Sequence, residues 1–197
     1  MATERTPLHP AEHRAYRELY AACRQLVTRW RRVGSALDGT AVGERLADGA
    51  AETSVFLTEL APRTASYGLY GSPTAQGMGA RIADLRTALV DQGGDTGLVV
   101  RSAVLDMEHV TTLLRHLAEL ARARGDRNMA GFCEEWAGRL ESTLDAVREA
   151  AVDLGADPDR TSAPLGDSAV NRAAHGVGWV FGSIGEAVDR LVSRRRP

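Results

Sequence analysis

Asp106 and His109 stand three residues apart, and Glu52 and Cys23 fall at matching depth in two other periodic apolar stretches. A carboxylate and an imidazole one helical turn apart share a helix face, which is what two ligands of one metal ion or an acid–base pair require. Paired hairpin reflection sets Asp106 opposite Thr143 or Leu144, and Cys23 opposite Thr53 with Glu52 beside it. The expectation is a polar cluster of Cys23, Glu52, Thr53, Asp106, His109 and Thr143 inside an otherwise aliphatic interior. Its metal ligands would be Glu52, Asp106 and His109, with Cys23 and Glu108 as neighbouring donors, a set suited to Fe, Mn or Zn. The competing reading, which we favour, is structural: Asp106 bonds a threonine hydroxyl and His109 and sets helix register. An unpaired charge there would cost several kcal/mol, so Asp106 needs a partner or a proton. No catalytic or cofactor-binding residue is assigned.

Helices must position these groups. Val99, Ala103, Asp106, Val110, Leu113, Leu117 and Leu120 alternate in steps of four and three, the seam of a central helix over Val99 to Arg124. Tyr16, Leu19, Cys23, Leu26, Trp30, Val33 and Leu37 do the same behind Pro10, which suits a first turn. Thr40 reads as the N-cap of a second helix carrying Val42, Leu46, Gly49, Thr53, Phe56 and Leu60, and Pro62 ends or kinks it. Tyr67 to Gly79 reads as a loop, Ala80 to Val90 as a short crossover helix, and Gln92 to Asp95 as a turn. Gly125 stops the central helix. A fourth helix starts near Asp126 with Met129, Cys133, Trp136, Leu140, Thr143, Val147, Ala150 and Leu154 inward. No stretch alternates with period two, so no sheet is expected. Two antiparallel hairpins joined by one long crossover make an all-α, ferritin-like four-helix bundle over residues 1–155. Residues 156–166 read as a linker, and 167–197 as a Gly-rich helix with an arginine tail, packing on the bundle or on a partner.

Bulk properties narrow the function. The chain has 197 residues, and at 44% hydrophobic but 5% aromatic its core must be Ala, Leu and Val. The formal net charge of −2 argues against nucleic acid held by bulk attraction. All 24 basic residues are arginine. Cys23 and Cys133 make no disulfide framework, and their levels differ by roughly 12 Å or more of helix rise, so both read as core. Met1 to Pro10 is polar, unlike a secretory signal, and no apolar run reaches the ~20 residues that span a bilayer, so a cytoplasmic protein is expected. His9 and His13 lie four apart as zinc ligands do, but a solvated, frayed N-terminus accounts for them. Gly176 to Gly182 follows no strand, so it reads as a smooth helix face rather than a nucleotide loop. That uncharged face, with the arginines behind it, suggests homo-oligomer contact or weak docking of residues 173–196 on an anionic membrane surface.

From about Tyr20 to Val152 the chain resembles the YciE/YciF-type ferritin-like proteins, which are associated with bacterial stress. The resemblance is carried by Tyr20-Ala21-Ala22-Cys23-Arg24-Gln25-Leu26, by Glu52, by Glu108-His109, and by the Gly125 turn with Ala130 to Glu135. It implies the fold and a degenerate metal site. The family's first-helix glutamate falls on Cys23, the histidine due near Val55 is absent, and Glu134, Glu135, Glu141, Asp145 and Glu149 all fall off the fourth seam. The sequence therefore points to a non-enzymatic, self-associating bundle, and the resemblance alone implies a stress-linked role. Two alternatives accompany it: a mononuclear metal protein or oxidoreductase, and a membrane-surface protein.

Overall fold

The computed structural model describes residues 8–69 and 94–165. The expected crossover helix Ala80 to Val90 and the C-terminal segment 167–197 lie outside the described residues. The described residues hold four long helices: α1 (Pro10–Ala36), α2 (Ala41–Ala65), α3 (Thr96–Ala123) and α4 (Arg127–Asp153). A 3-10 turn (Leu154–Ala156) and a short helix α5 (Pro158–Ser162) follow. The described residues hold no strand, only an isolated bridge between Asp95 and Pro164.

The helix ends are chemically specified. Thr40, Asp95 and Asp126 each accept a backbone N–H of the first turn they precede, which satisfies one of the orphan donors there. Gly125 takes φ +85°, a left-handed conformation that only glycine adopts freely, so the chain reverses between α3 and α4. Two expectations change. His9 is not frayed: its Nδ1 accepts the Ala11 N–H at 3.1 Å, and Glu12 returns the bond to the His9 N–H at 3.1 Å. α2 does not stop at Pro62 but runs on to Ala65. Tertiary contacts hold that last turn: Thr64 Oγ1 meets the Tyr20 hydroxyl at 2.7 Å and donates to the Leu69 carbonyl at 2.9 Å.

Side-chain pairings fix the helix directions. Tyr20 meets Thr64 and Arg31 meets Ser54, so α1 and α2 are antiparallel. Arg29 with Asp106 and Glu12 with Arg124 make α1 and α3 antiparallel. Glu59 with Trp136 and Glu52 with Thr143 do the same for α2 and α4, and Arg115 with Glu141 and Arg122 with Glu134 for α3 and α4. Each helix is antiparallel to its two neighbours, and α2 and α3 lie diagonally. The end of α2 and the start of α3 therefore sit at opposite ends of the bundle, and the connection must span its length.

One core joins all four helices, with Trp30, Trp136, Tyr16 and Phe56 its largest fully buried side chains. Phe56 packs against Trp136 and Phe132 with ring centroids 5.3 and 6.0 Å apart. Such aromatic pairs contribute about 0.5–1.5 kcal/mol each beyond buried area. Gly49 is required by close approach: a Cβ there would come 2.4 Å from the Trp30 ring. The α1, α2 and α4 seams are as the periodicity predicts, with Leu37, Thr143 and Leu154 only partly buried. The α3 seam differs at its centre. Met107 is fully buried where Asp106 was expected, and Asp106 stands at the rim with its side chain 26% exposed. A four–three alternation admits either residue, and the apolar thioether takes the dry slot.

The stretch read as a linker carries α5, which packs on α3. Thr96 donates to the Ala163 carbonyl through both its N–H (2.8 Å) and its hydroxyl (2.9 Å). Thr161 fills the space that a Cβ on Gly97 would need.

Candidate functional site

The residues expected to share one polar cluster are divided between opposite flanks of the bundle. On the α1/α3 flank, Asp106 Oδ2 accepts from Arg29 Nη1 at 2.6 Å, and Arg29 also donates to the Ser102 hydroxyl. Arg29 is 5% exposed, a buried guanidinium. It, rather than a threonine and His109, is what neutralises Asp106. His109 lies outside, its Nε2 3.2 Å from Glu18 Oε1 and both side chains about half exposed (51% and 55%). Glu108 is exposed on the same helix.

On the α2/α4 flank, Glu52 accepts from the Thr143 hydroxyl and from Arg139 Nε at 3.2 Å. Arg139 in turn lies over the Trp136 ring, 3.7 Å from its centroid, a cation–π contact. Thr53 turns its hydroxyl back to the Gly49 carbonyl at 2.8 Å. Cys23 is fully buried, and burial pushes its thiol well above the usual range. Glu52 and Thr143 are thus brought together as expected, while Cys23, Asp106 and His109 are each placed elsewhere. Among the described residues, no three His, Cys, Asp or Glu side chains gather closely enough to share a metal ion. Arg45, Asp48, Glu52, Arg139, Ser142 and Thr143 line an open groove of about 360 Å³ on this flank. It offers two guanidiniums and two carboxylates, one of which, Glu52, is the acceptor of the Thr143 hydroxyl.

Among the described residues, a dense polar arrangement lies at the end of the bundle where α1 and α4 begin and α2 and α3 finish. Arg124, the residue that closes α3, reaches three partners. Its Nε donates to Glu12 Oε1 at 3.1 Å, its Nη2 to Asp126 Oδ2 at 3.2 Å, and its guanidinium lies 5.1 Å from the Tyr67 ring centroid. The Tyr67 hydroxyl donates to Asp126 Oδ2 at 2.7 Å. Glu12 belongs to the capping box of α1 and Asp126 is the N-cap of α4, so one guanidinium ties together two helix starts and two helix ends. The placement suits the dipoles: carboxylates at N-termini, a cation at a C-terminus.

These contacts set the protonation states. Burial works to raise the Asp126 pKa, but the Met129 N–H, the Tyr67 hydroxyl and Arg124 together hold it below the usual carboxylate range. Burial opposes the charge on Arg124, yet its bonds to Tyr67 and Glu12 keep it more firmly protonated than a free guanidinium. Beneath this clasp the fully buried Tyr16 hydroxyl has no hydrogen-bond partner. Cys133 adjoins it, but sulfur is a weak acceptor and does not satisfy the O–H. Burial pushes the Cys133 thiol up to about 12.

Sequence reasoning passed over Glu12, Arg29 and Arg124. A weak signal existed for the first two, since each occupies a position adjoining the α1 seam where an apolar residue is expected. Comparison with protein-family models, curated proteins and solved structures returns no match to this chain.

Proposed function

We propose that this chain is a non-enzymatic, self-associating bundle of ferritin-like architecture in which the polar interior is structural. One observation carries the reading: both waist carboxylates are already neutralised by guanidiniums of neighbouring helices, Asp106 by Arg29 and Glu52 by Arg139. Asp106 held this way is a poor ligand, because metal binding would have to displace the buried Arg29 and leave it with less compensation, whereas the partly exposed Arg139 holds Glu52 more weakly. The antiparallel neighbours and the length-spanning connection support the ferritin-like reading. Kinship with the YciE/YciF-type proteins, and a role in stress, belong to the same proposal and rest on the residues quoted above. No described helix is long and apolar enough to cross a membrane.

Elemental analysis of the purified full chain tests the reading. The expected result is Fe, Mn and Zn far below one equivalent, unchanged in Asp106→Asn and His109→Ala. Near-stoichiometric metal lost in those variants would replace this reading with a mononuclear site of Glu52, Asp106 and His109.

A further inference from the structure

The outward faces of α1 and α4 carry opposite charge. Five of the six α1 arginines are exposed, Arg29 being buried, against two glutamates, and α4 holds six carboxylates against three arginines, with Glu134, Glu141 and Asp145 each already beside an arginine. Neither α1 glutamate offsets the outward arginines: Glu12 is buried in the clasp and Glu18 faces His109. Arg17, Arg24 and Arg31 recur every seven residues on the exposed side of α1, a repeat of about 10.5 Å. Arg31 reaches the Ser54 hydroxyl, which leaves its charge uncompensated. Beside this row α2 presents exposed Ala47, Ala51 and Thr58, with Glu44 one heptad before Ala51, so the arginines border a shelf of low relief.

The face of α4 is the counterpart. Glu135 and Glu149 are exposed and pair with no cation among the described residues. They are separated by the same two heptads as Arg17 and Arg31. Gly131 and Gly138 lie between and before them, exposed, and a Cβ at either would meet nothing within 4 Å. Glycine weakens an exposed helix interior relative to alanine, so the isolated fold gives no reason for two of them. A helix of low relief with acids at its margins fits a low shelf edged by arginines at matching spacing.

We propose that the chain assembles head to tail, the acidic α4 face of one copy seating on the α1 arginine row and α2 shelf of the next. α1 and α4 are diagonal in the bundle, so one molecule cannot close the contact on itself and each copy offers both halves. Such a heterologous contact builds a ring or an open chain. The inference rests on the self-association in the proposed function, for which it names the contact, and uses outer residues only. It holds whether or not the waist takes a metal.

Sedimentation velocity of the full chain tests it, at low salt (about 50 mM) and high salt (about 500 mM), where screening shortens severalfold. Wild type is expected to associate at low salt and dissociate at high salt. Two charge-reversed variants, Arg17→Glu/Arg24→Glu/Arg31→Glu and Glu135→Arg/Glu149→Arg, should each associate at least about tenfold more weakly. Mixed in equal amounts they should regain the wild-type species, which general destabilisation cannot produce. If a reversed chain loses its helical circular dichroism, the Arg→Gln triple replaces it. A monomeric wild type at low salt, variants that associate undiminished, or a mixture that stays monomeric would overturn the proposal. So would phosphatidylglycerol vesicles that capture monomeric wild type and the α4 variant but not the α1 variant, which would assign the arginine row to an anionic surface.

Discussion

Replacing Arg124 by Met tests whether the clasp or the apolar seams hold the end of the bundle. Methionine keeps the bulk of the stem and removes the charge. Glu12, 2% exposed, would then keep only the His9 N–H as a partner. Removing one partner of a buried ion pair costs about 3–5 kcal/mol, because the survivor stays buried and uncompensated. Asp126 is 23% exposed on its side chain and can recruit water, so its share is smaller. We expect a loss of about 3 kcal/mol by urea unfolding followed by circular dichroism, near the lower bound for a fully buried pair. Glu12→Gln keeps the shape and an acceptor, and should lose about 1–2 kcal/mol. Most of the arginine penalty is the stranded Glu12 charge, so the double variant should be less destabilised than the sum by about 1–2 kcal/mol. The acid limb gives a second reading. Asp126 ionises more readily folded than unfolded, so its contribution is complete above its ordinary value of 3.8 and is lost as pH falls through the lower, folded value. Part of that acid-dependent loss should vanish in Arg124→Met. A cost below about 1 kcal/mol, or strict additivity with Glu12→Gln, would refute the clasp.

Three further outcomes are expected. Tyr16→Phe should leave stability unchanged or raise it by about 1 kcal/mol, since the hydroxyl is buried without a partner, and a loss in urea unfolding would show that a bond exists there. Gly49→Ala should cost about 1–3 kcal/mol or more against the Trp30 ring, whereas Gly138→Ala, facing open space, should gain about 0.5–1 kcal/mol. Thermal melts of the pair that show equal shifts would count against the close approach of α1 and α2. Cys23 and Cys133 are both buried and free, with the Cys133 thiol at about 12, so neither should react with a disulfide reagent at pH 8 until urea unfolds the chain. Fast labelling of the native protein would place a thiol at the surface.

Local chemistry was legible and long-range compensation was not. Thr40, Gly125 and Asp126 mark helix boundaries because a cap or a left-handed turn is a property of a few adjacent residues. The seams of α1, α2 and α4 are legible for the same reason, since a helical face is set within one segment. Arg29 and Asp106 are 77 residues apart and Glu12 and Arg124 are 112 apart, so no periodicity could pair them. Placing Asp106 in the seam, bonded to a threonine and His109, has the same cause: a helical wheel counts apolar neighbours but cannot see a guanidinium arriving from another helix. The same asymmetry bears on function. A metal site and an arginine-neutralised site can show the same carboxylates at the same heights, and they differ only in whether a cation from a neighbouring helix is already there. Here it is there twice, from α1 onto α3 and from α4 onto α2. Both acids, at the rims of their flanks, thereby join neighbouring helices, and acids with no cation beside them among the described residues, such as Glu135 and Glu149, lie on the outer faces.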